Sequence, residues 1–132
     1  MKISTKGRYA LRVMIDLELN SNGKYISLKD IAERQEISNK YLEQIISLLN
    51  KATFLETARG NTGGYKLAKN PKEYKVGDIL RATEGDMAPI NCLTENGECT
   101  RQDKCKTYSF WKGLDDVMTE YIDSKTLEDL IK

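Results

Sequence analysis

Residues 37–67 constrain this chain more than any other stretch. Leu42, Ile45, Ile46, Leu49 and Ala52 recur at i, i+3, i+4, i+7 and i+10. That is one apolar stripe at a helical period. Asn39, Lys40, Glu43, Gln44, Ser47 and Asn50 fall on the opposite face. The following residues read as a hairpin, Leu55 to Arg59 and Tyr65 to Leu67, joined by a turn with glycines at 60, 63 and 64. An amphipathic helix followed by a glycine-rich hairpin with Arg59 and Lys66 at its base has the parts of a winged helix-turn-helix. The helix suits a major groove, and the hairpin suits the neighbouring backbone or minor groove.

The segments ahead of it agree. Ser27 can cap a short helix, with Asp30 three residues on and Leu28, Ile31 and Ala32 on its buried side. Glu36-Ile37 then turns into the longer helix. A first helix runs from Ser4 or Thr5 to about Asn20 and ends at Ser21-Asn22-Gly23. It carries two apolar stripes, Tyr9, Ala10, Val13, Met14 and Leu17, and Leu11, Ile15 and Leu19. Arg12 and Asp16 lie four apart, at the spacing of an ion pair. An ordinary helical hairpin explains the two helices equally well; the wing decides against it. A nucleotide-phosphate loop is excluded, because no Gly-Lys-Ser/Thr follows the glycines and no strand leads into a long helix.

Charge divides along the chain. Residues 1–75 hold 14 Lys and Arg against 8 Asp and Glu; residues 76–132 hold 7 against 12. A basic half suits nucleic acid, and the acidic half faces elsewhere. The apolar run from Val13 to Leu19 is broken by Asp16 and Glu18, so no signal peptide is expected, and no run reaches membrane-spanning length. The expected location is cytoplasmic. The three cysteines are then not structural disulfides. The chain lacks histidine, a nucleophile–base pair and a phosphate loop, so an enzyme is not expected.

Residues 76–83 predict a short connector helix with Val76, Ile79 and Leu80 buried and Arg81 and Glu84 outside. Gly85 to Lys104 has no period and reads as a long loop, which in a compact chain calls for a reason. Helical spacing returns over Thr107, Phe110, Trp111, Leu114, Val117, Met118, Tyr121 and Ile122. An aromatic-rich helix beyond the DNA-binding unit predicts a two-fold mate. Gly113 predicts a close crossing or a bend, and Thr126 and Asp129 stand at capping spacing. The fold class is therefore mostly α with a small β-hairpin wing. The domains are a winged helix-turn-helix over 1–75, a connector over 76–91, a sensor loop over 92–105 and a dimerisation helix with a short last helix over 106–132.

Cys92, Cys99 and Cys105 occupy a polar, charged loop rather than the apolar runs in which core thiols sit. Three thiolates suit an iron–sulfur cluster or zinc, with a fourth ligand from Glu98, Asp103, Tyr108, a partner subunit or a small molecule. A thiol redox switch needs only an exposed, acidic cysteine, and Arg101, Lys104 and Lys106 provide positive charge nearby.

Several motifs then converge. Met1-Lys2-Ile3-Ser4-Thr5-Lys6-Gly7-Arg8-Tyr9-Ala10-Leu11, Tyr41-Leu42-Glu43-Gln44, Arg59-Gly60 through Gly63-Gly64-Tyr65-Lys66-Leu67, and Val76-Gly77-Asp78-Ile79 with Glu84-Gly85 resemble the IscR/CymR/NsrR family of bacterial transcriptional regulators. The resemblance covers nearly the whole chain. It implies a homodimeric winged-helix regulator whose long C-terminal helices cross, and operator DNA as partner. In its cluster-binding branches three cysteines matching Cys92, Cys99 and Cys105 hold the cluster, a 2Fe-2S centre being the first choice here and zinc the second. The ligating histidine of one branch corresponds to Tyr108 and the ligating aspartate of another to Arg8, so no fourth ligand carries over. The segment Ser124 to Leu130 resembles the cysteine-metabolism repressors, which implies sulfur status as signal and a cysteine-biosynthetic enzyme as partner.

The expected function is a repressor controlled through that cluster, or alternatively a cluster-free regulator of sulfur metabolism. The expected DNA-contacting set is Lys2, Lys6, Ser38, Asn39, Lys40, Tyr41, Glu43, Gln44, Arg59, Gly60, Asn61, Thr62, Gly63 and Lys66. The resemblance points to Glu43 as a discriminating residue, since a carboxylate can accept from cytosine N4.

Overall fold

The computed structural model describes residues 2–98 and 100–132. Six helices and one hairpin follow in order: α1 (Thr5–Ser21), α2 (Leu28–Gln35), α3 (Asn39–Lys51), β1 (Leu55–Ala58), β2 (Gly64–Leu67), α4 (Val76–Glu84), α5 (Tyr108–Ser124) and α6 (Leu127–Ile131). Hydroxyl caps start the first three helices. Ser4 accepts from the Gly7 N–H, Ser27 from Asp30 and Ser38 from Tyr41, each satisfying a backbone donor that the helix leaves unpaired. Asn22 and Glu36 end α1 and α2 in the left-handed region, the first as the Ser21-Asn22-Gly23 signal predicts.

One core holds the first four helices together. Ala10, Val13, Met14 and Leu17 of α1 meet Ile31, Leu42, Ile45, Leu49 and Ile79, all fully buried. The segment read as a connector is thus a core element: α4 packs along α1 with Ile79 at its centre. Arg81 and Glu84 do not stand outside. Arg81 donates to Asp78 (3.1 Å) on its own helix and to Asp123 of α5, and Glu84 accepts from Ser4.

The Arg12–Asp16 pair does not form. Asp16, only 2% exposed, accepts from Arg34 through both oxygens (2.9 and 2.8 Å) and from the Gln35 amide (2.9 Å). Arg12 reaches over to Gln35 instead and lies over the Tyr9 ring. Arg34 meets the buried carboxylate fork to fork, while Arg12 is engaged by the Gln35 side chain and carbonyl. The carboxylate in turn raises the Arg34 pKa, chiefly through the hydrogen bond. The pairing ties α1 to α2.

After the hairpin, Tyr74 is buried edge-on against Phe54; its hydroxyl donates to the Phe54 carbonyl (2.7 Å) and accepts from the Lys69 N–H (3.0 Å). That pins the wing's exit onto the core. Helix α5 starts at Tyr108, with Thr107 as its N-cap, and none of its residues is buried. The chain then returns: Val76 N–H donates to Lys125 O (2.8 Å) and Leu127 N–H to Tyr74 O (2.9 Å), and Leu127 enters the core fully buried. Among the described residues no helix is long and apolar enough to cross a membrane.

Candidate nucleic-acid interface and cysteine loop

Helix α3 buries Leu42, Ile45, Ile46 and Leu49 and leaves Asn39, Lys40, Glu43, Gln44 and Ser47 exposed. Its N-terminus is fixed by Ser38, whose hydroxyl accepts from the Tyr41 N–H (3.2 Å). The start of α3 therefore carries three oriented N–H groups and the positive end of the helix dipole, a combination suited to phosphate. Tyr41 is half-buried, edge-to-face on Tyr9 at 5.9 Å, and so holds α3 against α1. Lys6 of α1 stands beside Lys40, Glu43, Gln44 and Ser47 around one shallow groove. The exposed arm residue Lys2 precedes it.

The wing is an antiparallel pair with Leu55 opposite Leu67, Glu56 opposite Lys66, Thr57 opposite Tyr65 and Ala58 opposite Gly64. Ile26, ahead of α2, adds a bridge to Tyr65 through two 2.8 Å hydrogen bonds. Gly64, at φ 138°, lies so close to the Ile26 carbonyl that no Cβ fits. Gly63 is likewise closed in by Ala58, and its N–H donates to Gly60 O (3.0 Å) across the tip. Arg59, Gly60, Asn61 and Thr62 are exposed at that tip. Lys66 differs from the rest of the expected set. It is half-buried, pairs with Glu56 opposite (3.5 Å) and lies over the Tyr25 ring at 4.8 Å. Among the described residues, Lys2, Lys6, Lys40 and Arg59 make no ion pair, so their charges are available to a ligand.

The stretch after α4 is organised by Asp86, whose two oxygens accept from the Ala88 and Glu95 N–H groups (2.9 Å each). These bonds hold its carboxyl below the usual range. Cys92 lies half-buried in a 3-10 turn, Asn91–Leu93, inside that closure. Cys105 is also half-buried, beside the start of α5, with its sulfur 3.3 Å from the Thr107 hydroxyl. Its thiol pKa is lowered first by that hydroxyl, then by the Thr107 backbone N–H, with Arg101 adding least. The lysines named from the sequence are not among the causes; a hydrogen bond at contact outweighs exposed ammonium groups screened by water.

Cys99 lies outside the described residues. A three-thiol donor set is chemically right for a cluster or zinc. Among the described residues, however, no three Cys, Asp or Glu side chains converge on one point, Glu98 and Asp103 included. The described residues alone do not assemble a metal centre.

A capped helix-turn-helix, a two-stranded wing and a basic face shared by α1 and α3 define a winged helix-turn-helix DNA-binding regulator. The chain belongs to the Rrf2 family, described as iron-dependent transcriptional regulator, whose family model matches residues 3–132. It is 38% identical over 132 residues to protein rrf2 of Nitratidesulfovibrio vulgaris, covering all of this chain and 88% of that one. Among solved structures it is similar to CymR, the global cysteine regulator of B. subtilis, with TM-score 0.80 and 40% identity over 99% of this chain and 96% of that one. It is similar to T. potens IscR with TM-score 0.77 and 40% identity, over 99% and 86%. The expected fold is thus borne out, and so is a regulator of transcription rather than an enzyme.

Proposed function

We propose that the protein is a homodimeric repressor that holds operator DNA with α3, the wing tip and the N-terminal arm, under control of its three-cysteine segment. The observation that carries the DNA reading is the common face of Lys6, Lys40 and the exposed side of α3, unpaired and next to a glycine-shaped wing. Lys2, Lys6, Lys40 and Arg59 contact phosphates; Asn39, Glu43 and Gln44 face base edges; Ser38 and Tyr41 orient the helix. Asn61, Thr62 and the Gly60 and Gly63 backbone approach the adjoining strand. Lys66 shapes the wing through Glu56 and Tyr25. Arg59→Ala is expected to weaken operator binding and lower the slope of log Kobs against log salt by about one. A titration across salt concentrations checks it, and an unchanged slope removes Arg59 from the interface.

Dimerisation is assigned to α5. Phe110, Val117 and Tyr121, each about two-thirds exposed, line one face with Leu114. Gly113 has open space around it, with no atom within 4 Å of a Cβ built there. Exposed aromatics beside an open glycine suit a second helix crossing closely.

Two sensor chemistries have support. A cluster held by Cys92, Cys99 and Cys105 follows from the donor set, the family description and the similarity to IscR. Direct sensing of sulfur or redox status, by thiol oxidation or by a partner enzyme, follows from the stabilised Cys105 thiolate and the similarity to CymR. A visible spectrum of anaerobically purified protein, with iron, sulfide and zinc assayed, separates them. Charge-transfer bands with matching iron and sulfide establish the first. Colourless protein, metal-free after reconstitution, establishes the second.

A further inference from the structure

We infer that Glu84 is a positioning residue for DNA binding: it latches the N-terminal arm to α4 and thereby aims Lys6, and Lys2 ahead of it, at the operator. The inference rests on the reading of Lys6 as a phosphate contact. The Glu84 Oε1 atom accepts both from the Ser4 backbone N–H (3.0 Å) and from the Ser4 hydroxyl. The same hydroxyl caps α1 by accepting from the Gly7 N–H (3.2 Å). One carboxylate oxygen therefore fixes the residue at which the arm becomes helix, two positions before Lys6.

Gly7 shows that the fit is specific. A Cβ there would stand inside contact distance of Glu84 Oε1, the end of a flexible side chain, so a larger residue would displace the carboxylate from its present place. Lys6, next to it, lines the groove with Lys40 and Glu43. On the other side Ile3 lines a cleft of about 900 Å³ together with Gly85, Met87 and Leu93, the last adjacent to Cys92. The arm thus lies between the cysteine-bearing loop and the DNA-facing groove, and Glu84 is the last residue of α4 before that loop. A displacement of the loop that pulls on Glu84 moves the arm. The link runs through Glu84, the only carboxylate on Ser4 among the described residues, and from it along the chain into the loop.

The test is a cycle of salt titrations on a fluorescent duplex recovered by the protein from a random-sequence pool. Variants are Lys6→Ala, Glu84→Ala, Glu84→Gln and Gly7→Ala, with Arg59→Ala as a control on the other side of the interface. Glu84→Ala removes the acceptor. Gly7→Ala keeps it but drives it off Ser4, while giving α1 a better helix former; a thermal melt of each variant separates a loss of DNA binding from a loss of folding. Glu84→Gln retains an oxygen that can accept both bonds. Expected is a slope reduced by about one in Lys6→Ala and by one to two in Glu84→Ala and Gly7→Ala. Lys6→Ala should add nothing in either latch variant, Arg59→Ala should add its full decrement in each, and Glu84→Gln should match the unmodified protein. If Lys6→Ala lowers the slope while Glu84→Ala and Gly7→Ala do not, or if the Lys6 and Glu84 effects add, Glu84 does not place the arm. If Lys6→Ala itself leaves the slope unchanged, the phosphate assignment has failed, and the latch assignment falls with it.

Discussion

Val117→Lys is expected to leave a folded monomer whose affinity for operator DNA falls by roughly 10²–10⁴-fold. The fold should survive because Val117 is 65% exposed in the protomer and is not part of the buried core. The dimer should not. Val117 is central on the stripe that starts at Phe110, passes Leu114 and ends at Tyr121, all three or four residues apart on one side of α5. Across a two-fold axis each residue meets its own mate or a near neighbour. Lysine at this position would set two ammonium groups against each other in an apolar contact, where neither is solvated. Without the dimer the second reading head is no longer tethered to the first. Linking two modules raises affinity by about 10²–10⁴ with no new contact, and that factor is what the substitution removes. Sedimentation gives the mass, and a titration at fixed salt gives the affinity. A dimeric Val117→Lys protein with intact operator binding would place the interface elsewhere.

What was legible in the sequence followed periodicity and local chemistry. The stripe from Leu42 to Leu49 marks α3, because a buried face at 3.6-residue spacing has no other reading. Ser27 and Thr126 announce helix starts, and the three glycines announce the wing, because each acts within a few residues of itself. The connector over 76–83 was legible as a helix but not as a core helix; Ile79 is apolar in either case, and only the fold says what covers it. Pairings across the chain were not legible. Asp16 has Arg12 at helical spacing, yet its partner is Arg34, which becomes adjacent only when α2 folds against α1. Ser4 and Glu84 are 80 residues apart, and Tyr25 meets Lys66 only through the Ile26–Tyr65 bridge. In the cysteine loop the sequence supplied the donor atoms and one charge that acts at Cys105, Arg101, but not the contact that acts most. The nearest charges in sequence are lysines, whereas the group in contact is a neutral hydroxyl.

Leu127→Ala is expected to cost about 2–5 kcal/mol of folding stability, the range for emptying a fully buried leucine site. A five-residue helix cannot hold itself, since nucleation alone outweighs its few hydrogen bonds. Two things hold α6. One is the reciprocal cap, in which Thr126 N–H donates to Asp129 (2.9 Å) and Asp129 N–H donates to the Thr126 hydroxyl (3.3 Å). The other is Leu127 in the core, where α6 packs against α1 and the turn at Pro71–Glu73. Thr126→Ala should cost only about 1 kcal/mol. The cap also has a pH signature. The bond from the Thr126 backbone holds the Asp129 carboxyl below its ordinary range. A depressed carboxylate stabilises the fold above its unfolded pKa and ceases to do so as pH falls through its folded value. Thr126→Ala keeps that backbone N–H, so only the smaller share carried by the Thr126 hydroxyl should fade in acid below the ordinary carboxylate range, and most of its deficit should be the same at either pH. The Leu127→Ala deficit, being apolar, should persist there. Urea midpoints for both variants at the two pH values check this. A Leu127→Ala deficit no larger than that of Thr126→Ala would show that α6 docks by its cap alone. A large one makes α6 a structural tether, fastening the C-terminal end of α5 to the DNA-binding unit, so that whatever moves the helix moves the reading head.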